Sequence, residues 1–102
     1  MQPKMSDHAK FHYSIKCKTD DLAVLHCLRA LCQWAQKDGN VRIGWGGTKL
    51  REWQAGGNCA TFRFTTQTYR HNFISKAKEL LGERWEEIQS RDDDPAIPQF
   101  TR

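Results

Sequence analysis

Phe11, Tyr13, Ile15 and Cys17 alternate with His12, Ser14, Lys16 and Lys18, the period of two that a strand with one buried and one wet face requires. The period then lengthens. Thr19, Asp20 and Asp21 supply oxygens and negative charge suited to capping the first amides of a helix, and Val24, Leu28, Leu31 and Ala35 recur at helical spacing, with Leu25 and Cys32 widening the stripe. Asp38, Gly39 and Asn40 can take the left-handed conformation that ends such a helix.

Val41, Ile43 and Trp45 alternate briefly before Gly44, Gly46 and Gly47 interrupt, and Gly56-Gly57 separates this stretch from an alternating run of Ala60, Phe62 and Phe64 against Thr61, Arg63 and Thr65. A Gly-Gly pair between two apolar segments predicts a hairpin, because tight hairpin turns need positive φ. One strand is therefore expected within residues 41–54 and its partner from Cys59 to Thr65. Thr66 to Thr68 offer a second cap. Tyr69, Phe73, Ala77 and Leu80 form a second helical stripe with Ile74 and Leu81 beside it, Gly82 closes it, and residues 84–90 read as a last strand.

The order β-α-β-β-α-β is that of the ferredoxin-like split β-α-β unit: a single α+β domain, a two-layer sandwich with a four-stranded antiparallel sheet and two helices on one face. The domain is expected over residues 10–91, with residues 1–9 a flexible leader and residues 92–102 a polar tail broken by Pro95 and Pro98. A chain of 102 residues with 38% hydrophobic content supports one modest core. It contains no apolar run of membrane-spanning length and no apolar leader, so the expectation is a cytoplasmic protein without a membrane partner. The four cysteines form no C-x-x-C pair, and Cys27 and Cys32 are offset by five on a helix. Free thiols fit this spacing better than a disulfide framework or a zinc ribbon.

The formal charge of +4 is uneven, with nine Lys/Arg against four Asp/Glu up to Arg51 and seven against eight after it. The strand alternation sends His12, Lys16, Lys18, Thr61 and Arg63 to the face the helices leave open. Lys16, Lys18 and Arg63 are then candidates to hold nucleic-acid phosphates without reading sequence. RNA-recognition domains of this topology use the same face, but they stack bases on exposed aromatics, and here Phe62 and Phe64 share the parity of Ala60 and point to the core. A second candidate is the glycine-tryptophan segment, with Trp45, Gly46, Gly47, Lys49, Arg51 and Trp53 as contacts for a protein or nucleoprotein partner. Trp and Arg are enriched in interface hot spots, and glycine lets a backbone approach closely. Its spacing is not that of a phosphate-binding G-x-x-x-x-G-K-[ST] loop.

A non-enzymatic binding module acting through that segment is the preferred expectation, as in small accessory proteins of phages and mobile elements. Sequence-independent nucleic-acid binding is the alternative. A small enzyme built on Cys59 with His71, or Cys17 with His12, is the third, since the sequence shows neither a positioned base nor an oxyanion site for either pair. No cofactor or metal is expected: Asp92, Asp93 and Asp94 lack the alternating spacing that surrounds a cation and read as a solvated turn. The open edges of a four-stranded sheet admit a homodimer.

Overall fold

Asp21 caps the first long helix through its side chain, which accepts hydrogen bonds from Ala23 N at 2.9 Å and Val24 N at 3.4 Å, satisfying amides that have no partner inside the helix. Thr66 does the same for the second, accepting from Tyr69 N at 3.0 Å. In the computed structural model, which describes residues 5–37, 43–44 and 50–96, these caps open α2 (Leu22–Ala35) and α4 (Gln67–Leu81). The other helices and strands that lie wholly within the described residues are α1 (Met5–Lys10), β1 (Tyr13–Lys18), α3 (Leu50–Ala55), β2 (Cys59–Phe64) and β3 (Glu86–Arg91). Of the expected leader, residues 5–9 fall in α1. Gly82 ends α4 at φ 57, where a side chain would be strained, and a short 3-10 turn leads into β3.

The sheet has three strands in the order β2-β1-β3, each antiparallel to its neighbour. β2 and β3 are therefore parallel to one another, joined by α4 with β1 inserted between them. The expected four-stranded, ferredoxin-like sheet is not what forms, because the described part of residues 41–54 is helical: Ile43 and Gly44 are in a helix, and so is Leu50–Ala55. The Gly-Gly signal was real but served another purpose. Asn58 N donates to Trp53 O at 2.8 Å across Gly57 at φ 82, the long backward bond by which a left-handed residue terminates a helix. Helix termination and hairpin turning place the same demand on φ.

What occupies the fourth strand's place is also visible. Thr19 N donates to Asn58 O at 3.0 Å, so even-numbered residues of β2 bond toward β1 and odd-numbered ones turn their backbone outward. At that outer edge the buried Gln36 side chain accepts from Thr65 N at 3.1 Å and donates to Thr65 Oγ at 2.9 Å. Gly44 lies so close that a methyl group there would sit 2.6 Å from the Arg63 carbonyl oxygen. A helix end and one glutamine thus cover an edge that would otherwise recruit a strand.

The core lies between the sheet and the pair α2 and α4. Phe73 of α4 seats its ring 5.3 Å from Phe62 and 5.2 Å from Phe64, in the tilted arrangement aromatic pairs favour. Trp85 approaches Phe73 at 6.5 Å and satisfies its indole N–H on Ala77 O at 3.2 Å. Ile15, Cys17, Leu25, Leu28 and Cys32 complete the layer. Among the described residues no helix is long and apolar enough to cross a membrane.

Candidate functional site

The sheet's other face carries Ser14, Lys16 and Lys18 on the central strand β1. The pairing register sets Arg63 and Arg91 on either side of Ser14, Thr61 and Gln89 beside Lys16, and Cys59 and Glu86 beside Lys18. A bulge falls between Lys16 and Cys17 on the β3 side, leaving Ile88 as the extra residue. β3 is exposed along its whole length.

Lys16 and Lys18 are exposed and have no ion-pair partner among the described residues. Two residues apart on one strand face, their α-carbons are about 7 Å apart, and like charges at that spacing repel by about 0.6 kcal/mol in water. Glu86 relieves Lys18 across the strand pair. Thr61 and Gln89, the residues across the strands from Lys16, are both neutral, which makes it the less compensated of the two lysines.

Arg63, the third cation expected there, is engaged. Its guanidinium donates to Asp94 O at 2.8 Å and to Asp94 Oδ1 at 3.2 Å. The chain after β3 folds back to make this possible: Asp94 N donates to His12 O at 2.8 Å and Ala96 N to Phe11 O at 3.0 Å. Asp92 is held as well, by Arg70 at 2.7 Å and Gln67 at 3.0 Å, while His12 Nδ1 donates to its carbonyl oxygen at 2.6 Å. Ser14 is buried beneath this strap although it lies on the open face. Burial pushes the Asp94 carboxyl up, but hydrogen bonds from Ser14 and Arg63 and the charges of Arg63 and Arg91 outweigh it and hold the group below the usual carboxylate range. The acidic turn is a clasp across one end of the face.

The glycine-tryptophan segment is brought to the site only in part. Trp45, Gly46, Gly47 and Lys49 lie outside the described residues. Arg51 is exposed on α3, whereas Trp53, two residues on and on the opposite side of the helix, is 3% exposed and belongs to the core. Of the two thiol pairings, the one built on Cys17 is disfavoured, because burial, and then the Glu87 carboxylate, push that thiol up; burial does the same to Cys32. All four cysteines are free, and no three His, Cys, Asp or Glu side chains among the described residues group as a metal site would.

Sequence reasoning passed over Trp34. It sits on α2 outside the apolar stripe, 46% exposed, with Lys37 Nζ 5.0 Å and Lys76 Nζ 5.8 Å from its ring centroid. A large aromatic off the buried stripe of an amphipathic helix was the available signal. Comparison with protein-family models, curated proteins and solved structures finds no match to the chain. Function is therefore argued from the geometry alone.

Proposed function

We propose that the protein is a non-enzymatic binding module that takes the phosphate backbone of a nucleic acid on the open face of its sheet. The observation that carries this reading is the exposed pair Lys16 and Lys18 on the central strand of an uncovered face, with Lys16 flanked only by Thr61 and Gln89. Arg91 adds a third exposed cation beside Ser14. Apart from the His12 imidazole, which is engaged by the Asp92 carbonyl oxygen, the described residues of the face present no aromatic side chain on which bases could stack, so its contacts are of the kind that position a duplex without specifying sequence.

Three phosphate contacts give a log-log salt slope of about −2.7 on a duplex, so affinity should fall about 40-fold between 50 and 200 mM salt. Fluorescence polarisation with a labelled duplex tests this. The double variant K16A/K18A should bind more weakly and fall only about 3-fold over the same range, as one remaining contact implies. Absence of binding at 50 mM, or a double variant indistinguishable from the natural protein, overturns the reading.

A protein partner is favoured by one separate observation, the exposure of Trp34 between two lysines, since exposed tryptophans are enriched among contact hot spots. That reading places the contact on the helical layer rather than on the sheet.

A further inference from the structure

The strap that follows β3 brings the Asp94 carboxylate to the same face that carries the free lysines, while α4 holds the Asp92 carboxylate through Gln67 and Arg70. Asp94 meets Arg63 through two contacts, from Nε to the main-chain oxygen and from the terminal nitrogen to the carboxylate. Ser14 adds a hydrogen bond to that carboxylate. Arg63 is the residue on β2 that would extend the row of Lys16 and Arg91 into a continuous cationic strip, and its side chain is 22% exposed. The bond from the terminal nitrogen to the carboxylate oxygen is of the charge-assisted kind a guanidinium makes to a phosphate oxygen.

We propose that Asp94 is a built-in competitor of the anionic ligand: the strap closes the Arg63 end of the open face, and a bound phosphate displaces the Asp94 carboxylate to take Arg63. This rests on the phosphate-binding reading above and adds its regulation. The strap is suited to release. Beyond Arg91 it is held by the contacts of Asp92, by Arg63 and Ser14 on Asp94, and by two backbone bonds to residues 11 and 12, and among its described residues only Ala96 joins the buried interior. Asp93, between the two held carboxylates, is exposed and has no partner among the described residues. It carries the same charge without the contact and so serves as an internal control.

The experiment compares duplex affinity for the natural protein, D94N, D93N, R63A and D94N/R63A at 50 and 200 mM salt. One additional phosphate contact scales affinity as salt to the power of about −0.9, so D94N should bind about 15-fold tighter at 50 mM and about 4-fold tighter at 200 mM. D93N should change affinity by less than about twofold, because a lone exposed charge is screened over about a Debye length. R63A should weaken binding, because it removes the group the phosphate takes, and D94N should bring no gain in the R63A background. Amide hydrogen exchange at Asp94 and Ala96 in the unaltered protein supplies a measurement independent of any variant, and should accelerate when duplex is added.

A D93N gain equal to that of D94N would reduce the effect to net charge and overturn the proposal. So would a gain that survives R63A, or unchanged exchange at Asp94 and Ala96 in the complex. If the natural protein binds and D94N does not differ from it, the strap proposal alone fails. If neither binds at 50 mM, the phosphate-binding reading fails and the strap proposal with it.

Discussion

Replacing Trp53 with alanine separates a core tryptophan from a contact tryptophan. The side chain is 3% exposed and packs in the same cluster as Phe62, Phe64 and Phe73. Truncating a buried tryptophan to alanine costs about 3–5 kcal/mol, the lost transfer energy plus the cavity left behind. A domain of this length is stable by about 5–15 kcal/mol, so the loss takes from about a fifth to the whole of the total. With a urea m-value near about 1.5 kcal/mol/M, the unfolding midpoint should move down by about 2–3 M. The indole N–H of Trp53 has no hydrogen-bond partner among the described residues. W53F removes that donor, whose unpaired burial costs about 1–3 kcal/mol, while keeping most of the apolar area. W53F should therefore lie well above W53A and close to the natural protein. Urea titrations followed by far-UV circular dichroism read both values. A W53A midpoint unchanged within about 0.5 M, coupled to loss of partner capture, would refute the burial argument and restore Trp53 as a contact residue.

Gly44→Ala should destabilise the fold by about 1–3 kcal/mol in the same urea assay, because the added methyl meets the Arg63 carbonyl oxygen at 2.6 Å and main chain cannot rotate away. Gln36→Ala leaves the Thr65 amide unpaired at the β2 edge and should cost about 1–3 kcal/mol, with exchange of the Thr65 amide accelerating first. The Asp94 carboxyl has a lower pKa in the folded than in the unfolded chain. Its contact therefore stabilises the fold above the unfolded value of about 3.9 and is lost as pH falls through the folded value. The urea midpoints of the natural protein and D94N should differ by a constant amount from pH 7 to about pH 5 and converge as pH falls through the folded value.

The elements legible in the sequence were those whose burial follows a simple period. β1 and β2 alternate because one sheet face is covered, and α2 and α4 carry wide apolar stripes between a polar cap and a breaker. α3 was not legible. Its only buried residue, Trp53, gives no period over six residues, and the glycines that end it are the residues a hairpin would use. The covering of the β2 edge was equally hidden, since it depends on Gln36 reaching Thr65, 29 residues away. The candidate site divided along the same line. Alternation alone placed Lys16 and Lys18 on the open face, but the capture of Arg63 by Asp94 spans 31 residues and follows from how the chain leaves β3. Trp34 carries no periodic signal, because it lies off the buried stripe of α2.

The most direct test of the account is a backbone NMR titration of the protein with a short duplex, reading which amides shift. Phosphate binding on the open face predicts that the largest changes fall on residues 14–18, 59–63 and 86–91, and that they weaken with salt. Shifts confined to the helical layer around Trp34, Lys37 and Lys76, or none at 50 mM salt, would contradict it.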